Sequence, residues 1–126
     1  MPLLRTLTVF GTRPETIKMA PLIKELESRS GRIANKNCFT GQHKDMVEPL
    51  LDLFEIRVDF HLGLMRHNQK LGHITVNVLQ QVTDILDGER FDLVIVQGDT
   101  TTSMAAAMAA FYSGVPVAHV EAGLRT

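Results

Sequence analysis

The sequence has a single cysteine, no excess of charge of one sign and no hydrophobic run long enough to cross a membrane. Cys38 has no partner for an internal disulfide or for the CxxC motif of a thiolate metal site, so we predict a buried strand thiol. Lysine and arginine total 13 against 14 acidic residues. Because the basic residues are scattered along the chain, the sequence argues against a nucleic-acid partner and against binding to an anionic membrane.

The N-terminus also lacks the long apolar core and small-residue cleavage site of a secretory signal. The most apolar stretch, residues 104–112, is about half as long as a bilayer span. Together these absences predict a cytoplasmic protein. With 126 residues, 44% of them hydrophobic, the chain is long enough for one domain with a core and too short for two, so we predict one domain over residues 1–126.

Apolar runs typical of buried strands alternate with helical patterns along the chain. The runs at 91–97 and 115–121 are nearly continuous in valine, isoleucine and leucine, as expected for strands covered on both faces of a parallel sheet. The alternation predicts an α/β fold, a Rossmann-like doubly wound parallel sheet with right-handed crossovers. The predicted strands cover residues 4–10, 37–40, 91–97 and 115–121, with a possible short strand within 58–64, and the helical stripes lie within 19–26, 47–54, 71–85 and 103–111.

The start of the first helix is well marked. Thr12 and Glu15 have the spacing of a capping box, and Pro14 falls in the first turn. Pro21 and Pro49 lie inside helical stripes, where each removes a hydrogen bond, so we expect each to kink or break its helix.

Polar segments follow each main predicted strand, at the positions where open α/β sheets bind ligands. The first of them, GTRPE at 11–15, matches neither GxGxxG nor the P-loop. It offers a glycine turn, Arg13 at a helix start and Lys18 about one turn further on, which suits a phosphate or diphosphate. An exposed arginine and lysine on a solvated helix is an equally good interpretation. The other segments are 40–43, 97–103 and 121–126.

Two carboxylates follow the last two strands directly. Asp99 is a candidate catalytic acid, although Asp99 or Thr100 could simply be the N-cap of the next helix. Glu121 ends an apolar run and should be partly desolvated, which is unfavourable for an unpaired carboxylate. It therefore pairs with a cation such as Arg125 or Arg13, or is tuned for proton transfer, and both can hold.

The five histidines show no metal-ligand spacing, so we predict no metal site. His119 and Glu121 are two residues apart and should share a strand face, but two ligands of mixed type are weak grounds for zinc. No crossover helix follows Glu121, although a parallel sheet needs one, so the sequence has the pattern of the front of a longer protein.

The segments VFGTRPETIKMAPLIKEL (9–26), TGQHKDM (40–46) and 96–126, which contains GDTTT and HVEAGLRT, resemble the opening third of the non-hydrolysing UDP-N-acetylglucosamine 2-epimerases. The resemblance implies two Rossmann-like domains of the glycosyltransferase B type, with the active site in the cleft between them. This chain would supply most of the first domain. It also implies a homodimer that acts on a UDP-sugar without redox cofactor or metal.

The implied reaction removes UDP and the C2 proton of UDP-N-acetylglucosamine to give a 2-acetamidoglucal. UDP then re-adds, with protonation on the opposite face, to give UDP-N-acetylmannosamine. By position the resemblance assigns three pairs of residues: the catalytic carboxylates Asp99 and Glu121, the substrate-binding cations Arg13 and Lys18, and Gln42 and His43 of a loop that in some bacterial members helps to hold a second, activating substrate molecule.

The chain departs from this pattern in two ways. Asp45 and Asn68 stand where the activating site of bacterial members has a glutamine and an arginine, which argues against activation by substrate. A further glutamate, a histidine and nearly the whole uridine pocket would follow Thr126, so we expect the isolated 126 residues not to turn over substrate. The alternatives are an epimerase for another UDP-sugar, a hydrolysing relative, a non-catalytic nucleotide-sugar-binding module and a generic dinucleotide-binding domain.

Overall fold

The predicted alternation of strands and helices builds a single parallel sheet. A computed structural model describes residues 2–41, 44–63 and 70–121. Within them the strand order is β3-β2-β1-β4-β5, and every neighbouring pair is parallel. The strands are β1 (Leu4–Phe10), β2 (Ile33–Phe39), β3 (Phe60–His61), β4 (Leu93–Gln97) and β5 (Val117–Val120), and the helices are α1 (Arg13–Ser28), α2 (Lys44–Leu53), α3 (Leu71–Gly88) and α4 (Thr101–Tyr112).

Apolar side chains cover both faces of this sheet. Leu7 and Val9 point to one face, where they pack with buried residues of α3 and α4. Phe10 and Phe39 point to the other face and pack with α1 and α2, their rings stacked with centroids 6.0 Å apart. The structure confirms the predicted doubly wound α/β fold, because helices lie on both faces and the strand order changes direction at β1.

The second strand begins earlier than the sequence predicted, at Ile33 instead of residue 37. Polar residues at its start obscured the strand pattern, but they are bonded across to β1. Thr6 Oγ1 donates to Asn35 Oδ1 at 2.7 Å, and Thr8 Oγ1 donates to Asn37 Oδ1 at 2.5 Å. Such cross-strand bonds allow these polar side chains to lie in a covered sheet.

Of the two effects expected of the internal prolines, a kink or a break, the break was wrong. Pro21 lies inside α1 and Pro49 inside α2, and each helix continues past its proline. Both prolines are exposed, so the carbonyl that each leaves without an intrahelical partner is on the side where water can bond it. The capping box of Thr12 and Glu15 is present as predicted.

Cys38 is the predicted buried strand thiol. It is fully buried in β2, and burial raises the pKa of its thiol to about 12, so the thiolate is scarce at neutral pH. Among the helices of the described residues, none combines the length and apolar character needed to cross a membrane.

Candidate active site

The carboxyl ends of the parallel strands meet at one edge of the sheet, as predicted. Thr40 N donates to Phe10 O at 3.0 Å, which places the ends of β1 and β2 side by side. Gly98 N donates to Val120 O at 3.0 Å and does the same for β4 and β5. The described parts of the four polar segments therefore form one continuous rim.

Two cations project from the first turns of α1 at this rim. Arg13 and Lys18 are both exposed. Within residues 2–41, 44–63 and 70–121, the Arg13 side chain has no hydrogen bond or ion pair. The N-terminal amides of α1 add partial positive charge beside them. This corner is thus equipped to bind an anion.

Asp99 is a free carboxylate at the same rim. It is exposed, and it makes no hydrogen bond or ion pair with the rest of the described chain. The N-cap of α4 is Thr100, whose Oγ1 accepts a hydrogen bond from Ser103 N at 3.1 Å. Thr100 is therefore the N-cap of α4. No contact with the described residues explains why an aspartate stands at position 99.

Glu121 forms the predicted ion pair, but its partner is Lys18. The Nζ–Oε1 distance is 2.8 Å, and Gln97 Nε2 donates to Glu121 Oε2 at 3.2 Å. The expected partner Arg13 makes no ion pair with the described residues, and Arg125 lies outside them. The two paired side chains are 55% and 42% exposed, so the pair contributes little to stability.

The prediction that His119 and Glu121 share a strand face was wrong. Glu121 lies beyond the end of β5 with φ of 62°, and this left-handed conformation ends the alternation of the strand. Its side chain reaches Lys18 on the α1 side. His119 Nε2 hydrogen-bonds Gly98 O. The His119 side chain lines a cavity of about 210 Å³ on the α4 side, and Met104 also lines it.

Gly11 brings the GTRPE turn against β2 because it has no side chain. A Cβ at this position would lie 1.9 Å from Thr40 Oγ1 and 3.3 Å from Thr40 Cβ. Thr40 is fully buried, and its hydroxyl finds no hydrogen-bond partner among the described residues. The hydroxyl of Thr40 thus occupies the space that a side chain would need.

We expect Gly11→Ala to lower the free energy of unfolding by about 2 kcal/mol, since overpacking in a buried site has effects of this size. Denaturation of Gly11→Ala in the Thr40→Ala background should show a much smaller loss, because the clashing hydroxyl is gone. The Thr40→Val background is the matched control, as valine keeps an atom at the hydroxyl position. Equal losses from Gly11→Ala in all three backgrounds would contradict the prediction.

Glu15 and Gln97 bond other residues of the rim, although the sequence pattern indicated no role for Gln97 and only a capping role for Glu15. Glu15 is fully buried and also bonds Thr100 at the start of α4. The capping box signals one Glu15 contact, but nothing in the local pattern signals the second.

Gln42 and His43 lie outside the described residues. Within the described part of the chain, no group of three or more His, Cys, Asp or Glu side chains could hold a metal ion.

The chain is similar to known proteins over nearly its whole length. The profile described as UDP-N-acetylglucosamine 2-epimerase matches residues 24–126. The chain belongs to the UDP-N-acetylglucosamine 2-epimerase family. The UDP-N-acetylglucosamine 2-epimerase of Neisseria meningitidis is 52% identical over 123 residues, which are 98% of this chain and 33% of that protein. The enzyme of Campylobacter jejuni is 47% identical over 97% of this chain and 32% of its own length.

Solved epimerase structures share the fold of this chain. The structure of the Neisseria meningitidis epimerase bound to UDP-GlcNAc superposes with a TM-score of 0.92 over 98% of this chain and 33% of that one. The Methanocaldococcus jannaschii epimerase in complex with UDP-GlcNAc and UDP is 34% identical, with a TM-score of 0.88, over 97% of this chain and 33% of its own. The chain thus spans about a third of the epimerases it matches.

Proposed function

We propose that this chain is the N-terminal part of an enzyme that interconverts UDP-N-acetylglucosamine and UDP-N-acetylmannosamine. The observation that carries the proposal is the arrangement of the rim. Arg13 and Lys18 at the start of α1 lie at the same edge as Asp99 and Glu121, and Lys18 and Glu121 are in direct contact. An elimination needs both kinds of group, cations for a departing diphosphate and carboxylates that move a proton.

The reaction divides between these groups as follows. The diphosphate binds Arg13, Lys18 and the N-terminal amides of α1, which stabilise the negative charge of UDP when its bond to C1 breaks. Asp99 and Glu121 are the acid–base groups for the proton at C2, one for each face of the sugar. UDP then adds back at C1 while C2 is protonated on the opposite face. The product has the same atoms and oxidation state as the substrate, so the overall change is an isomerisation.

Product analysis in deuterated water tests this proposal. The complete protein that contains this chain is incubated with UDP-N-acetylglucosamine and followed by proton NMR. We expect UDP-N-acetylmannosamine with deuterium at C2, because the proton removed in the elimination exchanges with solvent. The isolated 126 residues are the comparison, and for them we expect no product.

Other outcomes correspond to other functions. Free N-acetylmannosamine would indicate a hydrolysing relative, and turnover of a different UDP-sugar alone would change the substrate. If the complete protein bound the UDP-sugar without turning it over, the function would be that of a non-catalytic binding module. Binding of NAD would favour a dinucleotide-binding domain. A cytoplasmic homodimer, and a role for Gln42 and His43 in holding a second substrate molecule, stay predictions.

Arg13→Ala should raise the KM for the UDP-sugar by about 10-fold to 100-fold, as expected when a charge-assisted bond of about 1.5–3 kcal/mol is lost. The rate should fall as well, and stability should hardly change, because Arg13 is exposed and unpaired within the described residues. Steady-state kinetics measure both constants. Arg32→Ala, an exposed arginine at the opposite end of the sheet, is the control. A loss of rate with unchanged KM would instead assign Arg13 to the transition state.

A further inference from the structure

Glu15 links the two halves of the rim through a buried carboxylate. Its side chain is fully buried in the first turn of α1. Oε1 accepts hydrogen bonds from Gly11 N and Thr12 N, both at 2.8 Å, and from Thr12 Oγ1 at 3.1 Å. Oε2 accepts a hydrogen bond from Thr100 Oγ1 at 2.5 Å. One oxygen thus fixes the GTRPE turn, and the other fixes the residue that follows Asp99.

In this link the Thr100 hydroxyl is the hydrogen-bond donor and Glu15 is the acceptor. Thr100 Oγ1 already accepts a hydrogen bond from Ser103 N at 3.1 Å, as the N-cap of α4. Its single proton is donated to Glu15 Oε2, so Glu15 accepts hydrogen bonds at both of its oxygens. A glutamine at position 15 would present an amide N–H to Thr100 and leave the threonine proton without an acceptor. A side chain that accepts at both oxygens, as glutamate does, therefore satisfies the GTRPE turn and the Thr100 proton together.

The same turn is also held from its other side. The carbonyl of Gly98, which has φ of 71°, accepts a hydrogen bond from His119 Nε2. Ser103 Oγ lies 3.2 Å from the same carbonyl and shares its single proton with Thr100 O, which is 2.9 Å away. Asp99 thus lies between two residues whose positions are fixed, although its own side chain is free. Of these restraints, the one from Glu15 connects the turn to α1 and its cations.

We propose that Glu15 is a positioning residue that fixes the distance between Asp99 and the α1 cations, Arg13 above all. This inference rests on the proposed function, in which Asp99 moves a proton while Arg13 holds the diphosphate. Their spacing then decides whether the bound sugar meets the carboxylate, and an error of about 1 Å lowers a rate by up to about 100-fold.

Kinetics of the complete protein test this role. Glu15→Gln and Thr100→Val should each lower kcat by about 10-fold to 100-fold, with KM for the UDP-sugar changed by less than about threefold. Thr100→Ser keeps the hydroxyl and should retain nearly full kcat. In the Thr100→Val background, Glu15→Gln should have almost no further effect, because the shared bond is already lost. Glu25→Gln, which removes an exposed carboxylate elsewhere on α1, is the control.

Crystal structures of the variants separate this inference from the proposed function. In Glu15→Gln and Thr100→Val, the distance between the Cα atoms of Asp99 and Arg13 should change by about 1 Å, an error of the size that misplaces catalytic groups. In Thr100→Ser that distance should match the wild type. An unchanged distance in Glu15→Gln, or additive losses of kcat in the double variant, would overturn the role of Glu15. A wild-type protein that makes no epimer would refute the proposed function, and the crystal structures would still decide whether Glu15 positions Asp99.

Discussion

In the complete protein, Asp99→Asn should lower kcat for epimerisation by about 10³-fold, within the range of about 10²–10⁴ that positioned acid–base groups contribute. Asparagine has nearly the same shape as aspartate but cannot take up or release the proton. The fold should be unaffected, because Asp99 is exposed and unbonded within the described residues and Thr100 caps α4. Initial rates by NMR and the melting temperature by circular dichroism measure the two effects.

Two comparisons make this result specific to the Asp99 carboxylate. Asp87→Asn removes an exposed carboxylate in the last turn of α3, at the opposite end of the sheet, and should leave kcat unchanged. Thr100→Ala should lower the free energy of unfolding by about 1 kcal/mol through loss of the N-cap, whereas Asp99→Ala should not. If Asp99→Asn kept the wild-type rate, Asp99 would have no catalytic role and our assignment of the rim would be wrong.

The sequence predicted the rim because its signals are local. A buried strand is recognisable from a short apolar run, and in a parallel sheet the residues that follow the strands must meet at one edge. Residues 11–15 and 97–103 could therefore be placed together without any contact being known. The capping box was predictable for the same reason, since Thr12 and Glu15 are neighbours on one helical turn.

The contacts that organise the rim could not be predicted in this way. Glu15 and Thr100 are 85 positions apart, and their bond depends on how closely α1 and α4 approach the sheet. The choice of Lys18 instead of Arg13 as the partner of Glu121 depends on side-chain reach from two elements. The periodicity of a single sequence indicates which face of an element is buried and where the element ends. It does not give the distances between elements, nor which side chains are long enough to meet.

The backbone of Glu121 has an unfavourable conformation, which it shares with Glu55 among the described non-glycine residues. Its φ of 62° is a left-handed conformation, which is unfavourable by about 1–2 kcal/mol for a residue with a Cβ. Glycine would remove this strain, yet glutamate occupies the position. Strained residues of this kind cluster at active sites, where the side chain matters more than the backbone energy. The conformation also turns the carboxylate towards Lys18 and away from the face of His119.

Glu121→Gln should lower kcat of the complete protein by about 10²-fold to 10³-fold, the size expected for a second proton-transfer group. Stability should change little, because the pair with Lys18 is about half exposed on both sides and such pairs contribute about 1 kcal/mol or less. Glu48→Gln is the matched control, since Glu48 forms an exposed ion pair with Lys44 on α2, with Nζ and Oε1 3.5 Å apart. Kinetics and thermal denaturation of both variants give the comparison.

A second background separates proton transfer by Glu121 from its contact with Lys18. If Glu121 only holds Lys18 in place for the diphosphate, Glu121→Gln should lose its effect once Lys18→Met has removed the ammonium group. If Glu121 itself moves the C2 proton, Glu121→Gln should lower kcat by a similar factor in both backgrounds, and this is the result that we expect. Lys18→Met alone should mainly raise KM, because in the proposed mechanism its cation binds the diphosphate of UDP. A Glu121→Gln effect confined to the background that keeps Lys18 would reduce Glu121 to an anchor for the diphosphate-binding lysine and leave Asp99 as the sole proton-transfer group on this rim.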